Sequence, residues 1–451
     1  MMNNRFNNFI GIQTLPQETQ QIMRVYSLIH FLISFSIHLS STFLILFAID
    51  EIGFVQAGIM ASIMFTTQIL FDYPSGSLGD WIGQRWVLVL AYVSHGLGFL
   101  LLNFSQTFVD FLFIGIVIGF ANAQSSGALE TWLDNNYQTS VGEVDKGRKL
   151  FGFSISRIES LGILPAVVAF ILGGILSSLF SRQFVFLLQA FLVIILIFLI
   201  IIMIKDVQST EKIEEMEKKS ESNFLSYLKG GIKYFFSSKS SFFLILGLAL
   251  HDLVLQIFGT LLLLPLFFAY SGSDLLTSIM RTIIWLVIFP LNIYMAGVSK
   301  KLSNNKLSLT IGFHGIFLFV GWILVILSVP IENSFNIVGL LGIMIVAVSV
   351  NGTLLALISI LRRRILLDDV PTENRNSVYS LIPTIVAIFG IPIIPFVGLI
   401  TEIYGLVGGI LIALLITLGS SFFIFSSFIF KASELKKWKN VNNKGSFGTP
   451  N

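Results

Sequence analysis

The chain has 451 residues, of which 55% are hydrophobic and only 12% charged. Soluble domains carry about 25% charged residues, so a water-soluble globule is excluded as the main architecture. A net charge of +3 is too small to argue for nucleic acid as a partner, and the absence of Cys excludes disulfides, thiolate chemistry and Cys-ligated metals.

Residues 1–25 are polar and read as a segment outside the bilayer; with no apolar core before a small-residue site, no cleavable signal peptide is expected. About 20 apolar residues cross a hydrocarbon core as helix. Such runs fall at 26–48, 54–71, 86–102, 108–129, 150–180 and 184–204, and again at 242–269, 276–296, 307–329, 337–361, 378–400 and 404–430. The predicted fold is an all-α integral membrane protein with twelve transmembrane helices in two pseudo-symmetric six-helix bundles, residues 26–204 and 241–430. The connector 205–240 is densely charged at Glu211–Glu221 and then mixes aromatics with Lys, which predicts an interfacial helix. Residues 431–451 form a basic tail.

Basic residues set orientation. One face of this topology collects Arg5, Arg24, Arg85, Arg148, the connector lysines, Lys300, Lys301, Lys306, Arg362, Arg363, Arg364, Arg375 and the tail. The other face carries Asp50, Glu51, Asp110, Asp274, Glu332 and Glu402, with Arg182 as its single basic residue. We call these the basic and acidic faces. The rule predicts a multi-pass protein of the cytoplasmic (inner) membrane with both termini cytoplasmic.

Between the second and third spans lies Gly76-Ser77-Leu78-Gly79-Asp80-Trp81-Ile82-Gly83-Gln84-Arg85, read as a short polar turn in which the glycines bend the backbone. A degenerate copy, Gly297-Val298-Ser299-Lys300-Lys301-Leu302-Ser303-Asn304-Asn305-Lys306, follows the eighth span and replaces Asp80 with Lys301. Arg148 after span four is matched by Arg375 after span ten. The decapeptide resembles the G-x-L-x-D-x-x-G-x-[RK] signature of the major facilitator superfamily. Asp72-Tyr73-Pro74-Ser75-Gly76, the stretch 126–134 and the loop 370–377 resemble loops of its bacterial drug-efflux-type members. The resemblance implies twelve-helix secondary transport and an inner gate built from Gly76, Asp80, Gly83 and Arg85, with Arg148 as partner of Asp80 and Glu130 completing the network. It departs from proton antiporters in span four, which has no Arg, and in span five, where Pro165 is followed by Gly173 and Gly174 only later.

Ionisable residues inside a span are costly and mark pathways. Glu159 lies roughly 14 Å into span five, Asp252 roughly 15 Å into span seven and Arg281 roughly 8–14 Å into span eight. With Arg157, His38 and His251 they are candidates for a proton or substrate site, against the alternative of an Asp252–Arg281 ion pair locking two helices. Gln256 shares a face with Asp252. Gln68, Asn122, Gln124 and Asn351 are candidate cavity-lining residues. No hydrolase, metalloprotease or nucleotide-loop motif is present, so neither an enzyme nor a primary pump is expected, and no cofactor or metal. The expectation is a monomeric secondary transporter of a small molecule, by efflux of an amphiphilic or hydrophobic compound with protons as the candidate coupling ion. The alternatives are uptake of a polar or anionic metabolite by symport or uniport, and a non-transporting sensor or scaffold of the same fold.

Overall fold

A hydrocarbon environment offers no water to backbone N–H and C=O groups, so a chain this apolar satisfies them within helices. The computed structural model describes residues 2–145, 148–206, 232–299, 320–321, 323 and 375–445. Among these described residues all regular structure is helical. In chain order the elements are α1 (Met2–Ile10), α2 (Gln17–Ser40), α3 (Leu44–Ile82), α4 (Gln84–Leu102), α5 (Phe108–Ser125), α6 (Ala128–Val141), α7 (Lys149–Leu161), α8 (Ile163–Leu179) and α9 (Arg182–Met203). Then come α10 (Lys239–Ile257), a π turn (Phe258–Leu262), α11 (Leu263–Ser271), α12 (Asp274–Ser299) and α13 (Arg375–Gly445). Seven helical stretches among the described residues are long and apolar enough to cross a bilayer, and two of them hold a pair of expected spans. Their joints are glycines in conformations L side chains avoid: Gly53 (φ 78, ψ 169) within α3 and Gly405 (φ 69, ψ −176) within α13. Expected spans nine and ten, Lys301, Lys306, Asn351 and most of the connector lie outside the described residues.

The chain divides into two compact units. The first holds Met1–Ile213, Leu263–Phe289 and Ile394–Glu402; the second holds Glu214–Leu262, Pro290–Ile393 and Ile403–Asn451. In the first, helices approach through small residues, as expected where lipid removes the hydrophobic drive between spans. Gly115 and Gly119, one turn apart on α5, lie against the Met60 and Met64 carbonyls of α3, and Gly173 of α8 lies against the Leu39 carbonyl of α2. On α9, Leu187, Phe191, Ile194 and Phe198 are exposed while Phe186, Gln189, Val193 and Ile200 are buried, the two faces of a helix at a bundle's lipid boundary. In the second unit, Gly247 of α10 lies against the Ile424 backbone, and Ser420 and Ser240 donate to the Gly247 and Ser427 carbonyls, both at 3.0 Å.

Two local expectations are corrected, and the N-terminal segment gains a structure. The decapeptide is not a polar turn: α3 continues through it to Ile82, and only Gly83 takes a positive φ (90°). A side chain at position 83 would also collide with the Asp206 carboxylate, which accepts from Arg85 N at 3.2 Å at the start of α4. Span four does not run unbroken to residue 129. It stops at Ser125, turns through Gly127 (φ 72) and restarts as α6. The polar N-terminal segment is helical: α1 buries Ile10, and the following turn buries Ile12 and Leu15. Asn7 donates to Gln20 at 2.8 Å and accepts from Arg24 at 3.1 Å.

The Gly119 contact is testable. Gly119→Leu drives a branched side chain into the α3 backbone and should lower the melting temperature of detergent-purified protein, at a cost of about 1–3 kcal/mol. Gly152→Leu, at a position with open space around it, should melt like the parent.

Candidate functional site

On the acidic face, its single basic residue, Arg182, is the centre of an ionic cluster. Ser181 caps α9, accepting from Phe184 N at 3.1 Å, and this fixes Arg182 at the helix start. Arg182 meets Asp274, the first residue of α12, through two parallel bonds, Nε to Oδ2 at 2.9 Å and Nη2 to Oδ1 at 2.7 Å. Its Nη1 reaches Asp50 at 2.5 Å, and Ser177 donates to Asp274. This forked geometry suits Arg and not Lys. Arg182 and Asp274 are each only 12% exposed, which separates this pair from solvent-screened surface bridges. A second tie lies on the same face: Glu402 accepts from Val55 N at 3.0 Å, capping the span that starts after Gly53.

About two turns further along the helices lies a mixed cluster of α2, α8 and α12. The helix of span one relaxes at Ser41–Phe43, between α2 and α3. Ser41 and Thr42 accept from Arg281 Nη1 at 3.0 and 3.1 Å. The guanidinium also lies over the Phe170 ring, 4.2 Å from its centroid. Its carbon stack continues through Trp285, whose ring is 5.3 Å from Phe170 and 5.3 Å from His38. His38 Nδ1 lies 2.7 Å from the Ser34 carbonyl; that oxygen only accepts, so Nδ1 carries the proton and Nε2 is the acceptor in the neutral ring. The structure thus brings together His38 and Arg281, two expected site residues. Within the first unit Arg281 is held by hydroxyls and an aromatic face; Asp252, the acid of the ion-pair alternative, belongs to the second unit. Arg281, His38 and Trp285 are nevertheless each half-buried, with part of their surface open.

On the basic face, the other expected residues spread into separate contacts. Arg148 pairs with Asp134 and lies over Phe151 at 4.4 Å. It adopts φ 52, the only positive φ outside glycine among the described residues. Asp145, next to it, takes the Lys149, Leu150 and Phe151 amides at the start of α7 and the Tyr137 hydroxyl. Burial alone would raise the Asp145 carboxyl, but these donors outweigh it and hold its pKa below the ordinary value. Arg157 is not a midspan residue. Helices α7 and α8 form a 31-residue stretch, Lys149–Leu179, and counting about 20 residues back from Leu179 ends its membrane-deep part near residue 160. Arg157 instead donates to the Phe9 carbonyl of the N-terminal segment, between the Phe9 and Phe153 rings. Glu159 sits at the same level, exposed, and its charge and that of Glu130 both bear on the buried Tyr26 hydroxyl. Gly76 and Asp80 are helical; the side chain of Asp80 lies outside the described residues.

The family's sequence model, described as Major Facilitator Superfamily, matches residues 26–391. The chain belongs to the Major Facilitator Superfamily. Its fold is similar to that of the nucleoside transporter NupG (TM-score 0.70, 15% identity, 91% of this chain and 98% of that one). It is also similar to a D-xylose-proton symporter (TM-score 0.64, 11% identity, 91% and 98%) and to a POT family transporter in complex with a thioalcohol conjugated peptide (TM-score 0.66, 14% identity, 93% and 99%). No curated protein matched the sequence.

For a superfamily member, several residues were missed by the sequence reading. Arg182, Asp50, Asp274 and Glu402 were read only as topology charges, yet a single Arg on an otherwise acidic face was the available signal. Phe170 and Trp285 were lost among 44 Phe and six Trp. His95 was passed over: it is buried, stacked between Tyr92 and Phe99, with no hydrogen-bond partner among the described residues. Of the second-half candidates, Gly297 and Arg375 are helical, with side chains outside the described residues. His251 is buried and Asp252 and Gln256 half-buried on α10, within two turns of the π turn that follows. Gln68 and Asn122 are half-buried and Gln124 is buried.

Two expectations follow for this transporter. Because it has no Cys, Ser278→Cys, at a buried position against Gly174 one turn past Asp274, is a single reporter. Arg182→Gln should raise its modification by a water-soluble maleimide applied from the acidic face, whereas equal labelling in both backgrounds would show that Arg182 holds nothing closed. For Asp145, a depressed folded pKa contributes stability above the ordinary carboxylate value and loses it as pH falls through the folded value. Asp145→Asn should therefore lower the melting temperature at neutral pH, with the difference from the parent shrinking below about pH 4.

Proposed function

We propose that this protein is a proton-coupled secondary transporter of a small solute that carries an anionic or strongly hydrogen-bond-accepting group next to a flat apolar part. The observation that carries the reading is Arg281: a guanidinium deep in a helical bundle, held in its own unit by two hydroxyls and an aromatic face. A charge in this position is costly unless something compensates it, and a solute oxyanion or carbonyl does so. Phe170, Trp285 and His38 offer edges and faces to a planar group. The Nε2 acceptor of His38 gives the proton a place near the solute, and Glu159 with Glu130 around Tyr26 gives it a way station at the basic face. This chemistry favours the polar or anionic metabolite over the lipophilic efflux substrate that the loop resemblance suggested.

In this reading the basic face is cytoplasmic, and the acidic-face ties of Arg182 and Glu402 keep the outer entrance shut in the described conformation. Solute exchange on the outside requires them to part. At the inner face the decapeptide serves the reciprocal closure, with Asp80 as its acid and Asp206 holding the Gly83–Arg85 turn.

A ligand-stabilisation screen on purified protein tests the reading. Compounds that raise the melting temperature should carry a carboxylate, phosphate or dense acceptor group, and Arg281→Gln should reduce their apparent affinity by tenfold or more, roughly 1.5–3 kcal/mol for a bond to a charged group. Arg281→Lys should retain part of it. Stabilisation confined to uncharged lipophilic compounds and indifferent to Arg281→Gln would sink the proposal.

A further inference from the structure

Along α2, one row of residues differs from its neighbours. Tyr26, His30, Ser34 and His38 follow one another at four-residue spacing, so they lie one above the other on a single face of the helix. The adjacent rows, Val25-Ile29-Ile33-Ile37 and Phe31-Phe35-Leu39, are apolar. Tyr26 and His38 are about 18 Å apart along the helix axis, enough to carry the polar row from the basic face to the Arg281 cluster.

Each step of the row has a contact. The Tyr26 and His30 rings stack at 15°, with centroids 5.7 Å apart. His30 Nε2 packs on Gly162, the joint between α7 and α8, so closely that a Cβ there would lie 2.6 Å from it. Glu159 stands one turn before Gly162, so acid and imidazole meet the same joint. Ser34 donates its hydroxyl to the Gly162 carbonyl at 2.8 Å, and its own carbonyl accepts from His38 Nδ1 at 2.7 Å. Tyr26 is buried, whereas His30, Ser34 and His38 are half-buried and keep an open side. The charges of Glu130 from α6 and Glu159 from α7 bear on the Tyr26 end, and that of Arg281 from α12 on the His38 end. Helix α8 brings no titratable residue, and the one on α9, Arg182, is bound to Asp274 and Asp50.

We propose, resting on the proton-coupled reading above, that this row is the proton's path between the basic face and the solute site, with His30 as its relay. A proton binds one ring nitrogen of His30 and the other ring nitrogen releases one. The Ser34 hydroxyl, with water on the open side of the row, hands that proton to Nε2 of His38. One proton enters, one leaves, and His38 ends as an imidazolium. Its charge and that of Arg281 repel, and the anionic group of the solute offsets both. Proton and solute are thereby loaded together.

Full-length protein in proteoliposomes, basic face outward, is adsorbed on a solid-supported membrane and jumped from about pH 8 to about pH 5, across the histidine range. Benzenesulfonate is present throughout as the probe anion: it carries charge on a flat ring and no proton of its own. The parent should give a transient charge displacement that His38→Gln removes. His30→Gln should slow that displacement about tenfold or more. His30→Glu should restore its rate with the pH dependence moved toward the carboxylate range, a change that a packing role for His30 would not produce. If His30→Gln does not fold, Ser34→Ala, the loss of one hydroxyl on a half-buried face, carries the comparison. A displacement that His38→Gln removes, but that His30→Gln and Ser34→Ala leave at the parent rate, would overturn the relay and leave proton coupling standing. No displacement in the parent would overturn proton coupling itself, and the relay with it.

Discussion

In a bilayer every backbone group released by an interrupted helix must find a partner inside the protein. This constraint organises the chain. Where helices run unbroken, side chains do little beyond packing: glycines at 115, 119 and 173 let backbones touch, and Phe and Leu face lipid. Where helices break or bend, the polar residues gather. The relaxed turn at Ser41–Phe43 supplies the hydroxyls that hold Arg281, the break at Ser126–Gly127 opens a partly polar cavity, and the Gly53 joint is capped by Glu402. The π turn at Phe258–Leu262 begins six residues after Asp252 and two after Gln256, and π turns recur at functional sites.

The two faces of the membrane are built from different physics. On the acidic face, the contacts are a few strong, partly desolvated bonds. Arg182 reaches Asp274 and Asp50 with all three of its nitrogens, so losing one partner leaves a charge unpaid by water or protein. On the basic face, contacts are more numerous and weaker: an exposed Arg148–Asp134 pair, helix ends held by Asp145 and Asp206, and an N-terminal segment anchored on Arg157.

The broad architecture was legible in the sequence because hydropathy reports each span locally: ten of the expected spans fall on described helices, and the basic and acidic faces separate cleanly. His38 and Arg281 were also legible, since an ionisable residue within an apolar run stands out without knowledge of its neighbours. What was not legible depends on distant partners. Arg182 finds Asp274 92 residues away, Arg281 finds Ser41 240 residues away, and Arg157 finds Phe9 148 residues away. Helix ends were misread for a different reason. The decapeptide's polar composition suggested a loop, yet its residues tolerate helix, and only Gly83 adopts a conformation that ends one. Conversely, the break at Ser125–Gly127 closes the polar stretch Asn122-Ala123-Gln124-Ser125-Ser126-Gly127, a signal passed over because apolar residues resume at Ala128 and Leu129.

The central claim is that Arg281 meets the solute. A structure of the protein with a stabilising ligand tests it most directly. The account predicts an acceptor group of that ligand within hydrogen-bond distance of the Arg281 guanidinium, and its flat part against Phe170, Trp285 or His38. A ligand bound elsewhere, with Arg281 still held by Ser41 and Thr42 alone, would contradict it.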